Sequence, residues 1–459
     1  MRKNIILLIV SFAMFMEAID TTIINTAIPV MAHSLNVNPI DLKLALISYL
    51  LSLAIFIPIS GWIADKFGVK KVFITAVCVF TLSSIWCGFT KNLEELIAAR
   101  IIQGLGGSLT MPVGRLIILR TCNRDELISK MSLVVMVASL GMMLGPLLGG
   151  IITHNFSWRW IFWVNIPVGI LAVLLSIKLL PPMPPEPVPP LDKLGFLLFG
   201  SGLATLTFGL SMLSESDFTT NHSPFMLGVS FLLLVAYASH HARKKNYPII
   251  KVELLRTRTF CVAVISNLFA RLSFGGTPFL LPLMLQIGLG FSSQQSGFLL
   301  APIALGVFIV KPLSLYILRC FGYKKLLILN TTLVSISLWS FCSISISSTL
   351  YEIAMLTFIY GFLIALQYTG MNSLAYASVS KNDISAATSI MSTIQQLAQS
   401  FGVAASAILI SIFSSHHLLS VKVFQQTFLM LGVLTFLSGT IFLYLKKDDA
   451  NELINPPQR

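Results

Sequence analysis

The feature that most constrains this chain is a succession of fourteen apolar segments, each long enough to cross a bilayer as a helix. They run roughly 5–31, 43–63, 71–90, 94–119, 129–153, 159–180, 194–213, 224–242, 260–287, 296–318, 324–346, 351–373, 384–412 and 425–445. At 1.5 Å per residue each spans the roughly 30 Å of a hydrocarbon core. Gly, Pro, Asn and charged clusters fall between them, as loops require. Composition agrees: 55% of the 459 residues are apolar and 11% charged, against about a quarter charged in soluble domains. A chain this apolar cannot cover itself with polar surface in water. The expected fold class is an all-α integral membrane protein.

The net charge of +13 would suggest a nucleic-acid partner in a soluble protein, but the placement of the bases argues otherwise. With the N-terminus inside, the outer loops hold only Lys43, Lys91, Arg159 and Lys422, and Arg100, Arg115, Arg271 and Lys311 fall within spans. The remaining bases lie on the inner side or at inner helix ends, the asymmetry of the positive-inside rule. This predicts a multi-pass protein of the cytoplasmic (inner) membrane with both termini cytoplasmic, partnered by lipid and not by nucleic acid. The opening Met1-Arg2-Lys3 and its apolar run resemble a signal peptide. The run continues through Glu17 and Asp20 without a small-residue cleavage signature, so an uncleaved first helix is expected. The six cysteines are scattered without paired or metal-ligand spacing, so no metal is expected.

The clearest break in the chain is Pro181–Pro190, with seven prolines in ten residues. Such a run favours an extended polyproline strut acting as a spacer; a proline-rich recognition motif is the alternative. Six spans precede it and eight follow, and a second basic loop separates two of those eight from the last six. The expected organisation is a six-helix bundle over 1–180, a cytoplasmic linker over 181–193, and an inserted helix pair over 194–245. A second six-helix bundle over 246–447 and a cytoplasmic tail over 448–459 complete it. Gly68-Val69-Lys70-Lys71 and Gly322-Tyr323-Lys324-Lys325 stand at corresponding places in the two sixes. Repeated bundles of this kind are a transporter architecture.

Among the 18 acids, only Glu17 and Asp20 lie deep in a span. Three residues apart, they share one face of the first helix, roughly 18 and 22 Å from the inner surface. A charge at mid-bilayer costs about 2.5–3.5 kcal/mol on insertion scales, so such groups face a cavity or a partner. A fixed salt-bridge acid is one reading and a titratable transport acid the other, and the isolation of this pair favours the second. Arg100, descending from the outer end of the fourth helix, lies about 8 Å down, close to the level of Asp20. Arg271, about 16 Å from the inner face, either pairs with Glu17 or contacts an anionic ligand, while Arg115 snorkels toward the cytoplasm. Asn25, Gln103, Asn267 and Gln286, with Gln367 and Asn372, are candidates to line a polar route, although helix–helix hydrogen bonding accounts for many such residues. Gly104-Leu105-Gly106-Gly107 lacks the third glycine and preceding strand of a dinucleotide loop.

Four stretches of the first bundle carry a resemblance. Asp20-Thr21-Thr22-Ile23-Ile24-Asn25-Thr26-Ala27-Ile28-Pro29 fits an Asp-x-Thr-x-x-Asn-x-Ala-x-Pro signature. Gly61-Trp62-Ile63-Ala64-Asp65-Lys66-Phe67-Gly68-Val69-Lys70-Lys71 joins the second and third helices. Arg100 to Gly107 lies in the fourth, and Gly141-Met142-Met143-Leu144-Gly145-Pro146-Leu147-Leu148-Gly149-Gly150 in the fifth. Together, and in this order, they resemble the major facilitator superfamily and its fourteen-helix drug/proton antiporter branch, the EmrB/QacA type. Trp158 to Pro167 is similar to the same branch, whereas Arg319 stands where a repeated loop motif would place its Asp. The resemblance implies a proton-transfer role for Arg100, which joins Asp20 and Glu17, the acids singled out by depth, as the expected proton-coupling group. It implies gating roles for Gly61, Asp65, Gly68 and Lys70, and a leak-sealing or hinging role for Gly141, Gly145, Pro146, Gly149 and Gly150. Physically, the glycines allow close helix approach, and Asp65 is placed to clamp helix ends against a base.

The expected function is therefore a proton-coupled exporter working by alternating access around a cavity between the bundles. Its partners are protons and a small-molecule substrate, either a drug-like amphipathic compound or an endogenous anionic metabolite such as a carboxylate chelate. No cofactor is expected, because no Walker-type loop appears and the proton gradient is the energy source. A membrane enzyme lacks support, since neither HExxH nor GxSxG occurs. A sensor or channel has no positive signal, and a monomer suffices.

Overall fold

The computed structural model describes residues 2–122, 124–214, 222–243, 249–380, 383–414, 419–446 and 449–450. The expected tail thus lies almost wholly outside the described residues, as do Lys244, Lys245, His416 and His417. Fourteen helices among the described residues are long and apolar enough to cross a membrane, and no strand occurs among them. We label the helices α1 (Arg2–Ile23), α2 (Lys43–Phe67), α3 (Val69–Phe89), α4 (Leu93–Thr121), α5 (Arg124–Asn155), α6 (Asn165–Leu179) and α7 (Lys193–Met212). The remainder are α8 (Ser223–Arg243), α9 (Arg258–Phe274), α10 (Ser293–Phe321), α11 (Tyr323–Ser340), α12 (Leu350–Tyr376), α13 (Ile384–Phe413) and α14 (Val421–Ser438).

The chain divides into two compact units. The first comprises Met1–Leu206, Gly228–Ile249 and Ser292–Gly297, and the second Thr207–Leu227, Ile250–Phe291 and Phe298–Arg459. The inserted pair α7 and α8 is shared between these units and forms no unit of its own. In the first unit α1 lies against α5, and α4 packs on both α2 and α3. A core of Ile9, Val10, Ala13, Phe73, Phe80, Val113 and Ile117 is sealed from solvent between them. Burial of such side chains does not distinguish protein from lipid tails, so tight packing and polar contacts must hold these helices together. Lys43, expected in an outer loop, is instead buried at the first residue of α2.

Helix α1 tightens into a narrow turn at Ile24–Thr26 and resumes over Ile28–Leu35. Its counterpart α9 ends at Phe274 and resumes over Thr277–Leu283 after Gly275 and Gly276. Both helices, one in each unit, are therefore interrupted before they end. The repeat extends to side-chain detail. Gly68 and Gly322 both adopt positive φ, 90° and 69°, a region open to glycine at little cost. Two residues on, Lys70 Nζ donates to the carbonyls of Ile177 (2.9 Å) and Leu180 (2.7 Å), and Lys324 Nζ to those of Leu443 (2.9 Å) and Leu445 (2.6 Å). Each lysine satisfies carbonyls at a chain segment leaving a bundle's last helix, where intrahelical partners run out. At the opposite membrane face α4 and α12 begin alike. Asn92 accepts from the Glu95 N–H (2.8 Å) and Thr349 from the Glu352 N–H (3.3 Å). Both glutamates bond back to a backbone N–H at the helix start, those of Lys91 and Thr349.

The proline-rich linker is extended but does not hang free as a spacer. Arg120, in the last turn of α4, bonds Asp65 (2.7 Å) and Glu186 of the linker (2.8 Å). The Glu186 N–H donates to the Asp65 carbonyl (2.7 Å), and Trp62 Nε1 donates to the Pro189 carbonyl (2.8 Å). Prolines donate no N–H, so their carbonyls must find donors elsewhere, and Trp62 supplies one.

Candidate functional site

Helix α1 carries Asp20 into the interior of the first unit with no exposed surface. Its Oδ2 accepts from Arg100 Nη1 of α4 at 2.6 Å. Its Oδ1 accepts from Gln103 Nε2, also of α4, at 2.9 Å, and from Asn165 Nδ2 of α6 at 2.9 Å. The spacing of Arg100 and Gln103 places them one above the other on the same face of α4. Gln103 Nε2 also donates to Ser84 Oγ of α3 (2.7 Å), and its Oε1 accepts from Arg100 Nη1 (2.7 Å). Arg100 Nε reaches the Ala45 carbonyl at 3.4 Å, and its guanidinium lies 4.0 Å from the Tyr49 ring centroid. Two helices, α4 and α6, thus converge on the α1 carboxylate through one charged and two neutral donors.

All three groups facing the Asp20 oxygens are N–H donors, so they complement a carboxylate and offer a protonated acid no acceptor. Arg100 keeps further partners in Gln103 Oε1, the Ala45 carbonyl and the Tyr49 ring, so it is not stranded if Asp20 becomes neutral. Removing one member of a buried pair typically costs about 3–5 kcal/mol.

Glu17 lies one turn earlier and is also buried, yet its Oε2 has no hydrogen-bond partner among the described residues. A Cβ built on Gly107 of α4 would lie 3.2 Å from the Tyr49 hydroxyl and 3.5 Å from Glu17 Oε1, so this glycine makes room for both groups. Arg115, expected only to snorkel, is half-buried. Its Nε has no hydrogen-bond partner among the described residues, and its Nη2 approaches Met111 Sδ at 3.7 Å.

Gly141, Gly145 and Gly149 of α5 line its contact with α1, and Gly150 faces the start of α10. A Cβ on Gly141 would lie 2.7 Å from the Phe15 carbonyl oxygen, and one on Gly145 would press on Thr22 Oγ1. One on Gly149 would overlap the Ile23 carbonyl oxygen, and one on Gly150 would meet the backbone of Ser293. The exposed α5 carbonyls are used: Thr22 Oγ1 donates to Met142 O and Thr26 Oγ1 to Pro146 O, both at 3.2 Å. Gly61, by contrast, has nothing within 4 Å of such a Cβ.

Of the other candidates in the first unit, Asn25 is buried in the Ile24–Thr26 turn. In the second unit, Asn267 is buried and donates to the Ala263 carbonyl (2.9 Å), while Arg271 Nε donates to Asn267 Oδ1 (3.3 Å). Gln286 lies in a widened turn over Met284–Gly288. Gln367 joins Asn330 and Thr331, and Asn372 accepts from Gln395. The acid–base constellation is not repeated here. Arg100 and Gln103 stand eight and eleven residues beyond the cap Asn92; Thr357 and Tyr360 stand at the same offsets beyond Thr349. Both hydroxyls donate to backbone carbonyls, those of Leu299 (2.9 Å) and Phe274 (3.2 Å).

Asn165, Ser84 and Tyr49 were not singled out from the sequence as site residues. Asn165 had a signal, since it lies in the stretch from Trp158 to Pro167 and is polar at the head of an apolar helix. Ser84 and Tyr49 had none, being ordinary residues within long apolar runs.

The profile of the Major Facilitator Superfamily matches residues 10–403 and 263–459. The chain belongs to the major facilitator superfamily. Among curated relatives of this transporter family, the chain is 35% identical over 445 residues to a putative multidrug resistance protein, MdtD, of Escherichia coli O139:H28, covering 96% of this chain and 94% of that one. It is 37% identical over 454 residues to a probable transport protein, HsrA, of Haemophilus influenzae, covering 98% and 97%. Among solved structures, a bacterial homologue of the human drug peptide transporters PepT1 and PepT2 superposes with a TM-score of 0.66 at 15% identity, covering 96% of this chain and 97% of that one. That likeness concerns the major facilitator fold alone. Within the first unit the structure brings Asp20, Arg100 and Gln103 together, with Glu17 one turn away.

Proposed function

We propose that the chain is a proton-coupled antiporter that exports small amphipathic molecules across the cytoplasmic membrane by alternating access, with both termini in the cytoplasm. The observation that carries this reading is the fully buried Asp20, whose two oxygens accept from three N–H donors on two other helices. A proton arriving on Asp20 weakens its acceptance from these donors and leaves the new O–H facing N–H groups without an acceptor. Protonation is thereby tied to rearrangement of α1 against α4 and α6, and the exchange of one proton becomes a change of conformation. Arg100 stays held by Gln103 Oε1 and the Ala45 carbonyl while Asp20 is neutral, and regains Asp20 when the proton leaves. The glycine-lined contact of α5 with α1 transmits that movement, because α5 has no side chains there to absorb it.

The energy suffices. One proton crossing about 150 mV supplies roughly 3.5 kcal/mol, equivalent to a gradient near 300-fold. The names of the MdtD and HsrA relatives support transport, and the first of them supports varied drugs as substrates. The test is accumulation of cationic and anionic dyes in inside-out vesicles with an imposed pH gradient. Uptake that collapses when the gradient is dissipated supports the reading; uptake indifferent to the gradient overturns it.

A further inference from the structure

Arg271 of α9 is a second guanidinium inside a span, and its surroundings differ from those of Arg100. It forms no ion pair among the described residues, and its Nη groups donate to none of them. Everything around it fixes its position and leaves those two ends free. Its Nε is held by Asn267 Oδ1 at 3.3 Å, and Asn267 is itself buried and anchored to the Ala263 carbonyl. Its guanidinium carbon lies 3.8 Å from the centroid of the Tyr368 ring, and that ring rests against Phe274 at 5.6 Å. Its backbone is confined as well, since a Cβ on Gly402 of α13 would lie 2.7 Å from the Arg271 carbonyl oxygen.

A charge held at this depth without a counter-ion is costly, and such charges mark substrate sites. A guanidinium ordered by a stack and one hydrogen bond presents its two Nη groups as a planar fork, the geometry that grips an oxyanion through paired hydrogen bonds. We propose that Arg271, stacked on Tyr368, forms an anion subsite that takes the carboxylate of an aromatic or amphipathic organic acid. This deepens the export reading above and rests on it for the route by which such an acid leaves. Lipid phosphate offers the same oxyanion chemistry. However, Arg271 lies about 20 Å along α9 from its first residue, Arg258, far from where headgroups lie in a core of about 30 Å. The small carboxylate is the occupant that fits.

Equilibrium binding of radiolabelled 1-naphthoate to the purified full chain in neutral-lipid nanodiscs tests this, with the uncharged isostere 1-naphthamide as comparison. Naphthoate should bind at least about tenfold more tightly, the scale of a charge-assisted hydrogen bond. Arg271→Gln should lower naphthoate to the level of naphthamide. Arg271→Lys, which keeps the charge but not the fork, should fall between, and Tyr368→Leu should weaken both ligands. Equal binding of the two ligands to the wild type, no measurable binding of naphthoate, or unchanged naphthoate binding by Arg271→Gln would overturn the proposal. Phosphatidylglycerol nanodiscs separate the lipid source: naphthoate binding that disappears there assigns the site to lipid phosphate and overturns the small-molecule occupant. Binding is measured without a gradient, so loss of pH-driven export would refute the antiport reading while leaving this subsite standing, and the converse holds.

Discussion

Replacing Gly149 by alanine probes the contact of α5 with α1 with a single methyl group. The added Cβ would overlap the Ile23 carbonyl oxygen and lie 2.5 Å from Thr26 Oγ1 and 3.1 Å from the Ile23 carbonyl carbon. A relaxed carbon contact sits at about 3.5 Å, and the carbonyl belongs to helix backbone that cannot rotate aside. The helices must therefore part by about 1 Å. Overpacking of this kind costs about 1–3 kcal/mol. The hydrogen bonds from Thr22 to Met142 O and from Thr26 to Pro146 O are already 3.2 Å long, and lengthening them forfeits about 0.6 kcal/mol each. Alanine returns about 1 kcal/mol of helix propensity, leaving a net loss of about 1–3 kcal/mol. Gly61→Ala is the matched control, because its Cβ meets nothing within 4 Å and only the propensity gain remains. Thermal unfolding in detergent, followed by circular dichroism, should place Gly149→Ala clearly below the wild type and Gly61→Ala level with it or above. Gly149→Ala melting with or above Gly61→Ala would refute the close-contact argument.

Three further outcomes are expected. Arg100→Leu should express poorly, because it leaves the Asp20 carboxylate buried without its cation at a cost of about 3–5 kcal/mol. Asp20→Asn combined with Arg100→Leu should recover much of that yield, and a double variant no better than Arg100→Leu would argue against a compensating pair. Arg120→Met should free the linker, read as faster thiol labelling of Met183→Cys, and an unchanged labelling rate would mean that the prolines alone fix its path. Accessibility tags at the N-terminus, in Pro181–Pro190 and at the C-terminus should all report the cytoplasm, and an outside report for either terminus would overturn the even number of spans.

Much of this architecture was legible in the sequence because lipid imposes a simple rule: long apolar runs must be helices, and charges inside them are exceptions. Glu17 and Asp20 stood out for that reason. The rise per residue placed Arg100 near the level of Asp20, and the structure joins them at 2.6 Å. The paired Gly-x-Lys segments were legible as a repeat, though not as lysines that bond the carbonyls of a distant segment. Other partners of Asp20 were hidden, since Ser84 and Tyr49 are types that any apolar helix tolerates, and which face they occupy depends on packing. The breaks after Ile23 and Phe274 were hidden too, because they arise where neighbouring helices approach. The linker's docking needed Trp62 and Arg120, whose proximity to Pro189 and Glu186 no local pattern encodes. That deep acids occur only in the first bundle was legible as well; that Thr357 and Tyr360 stand at the offsets of Arg100 and Gln103 was not, because it depends on where α4 and α12 are capped.

The central claim is that Asp20 carries the coupled proton. Asp20→Asn preserves the side chain's shape and one carbonyl acceptor for Arg100, Gln103 or Asn165, but it cannot bind and release a proton. The decisive measurement is transport by purified Asp20→Asn protein in proteoliposomes, comparing uphill movement driven by an imposed pH gradient with substrate exchange at equal pH. Exchange at equal pH should persist while pH-driven accumulation falls to background. Uphill, pH-driven accumulation at the wild-type rate would show that the proton travels elsewhere, with Glu17 the next group to test.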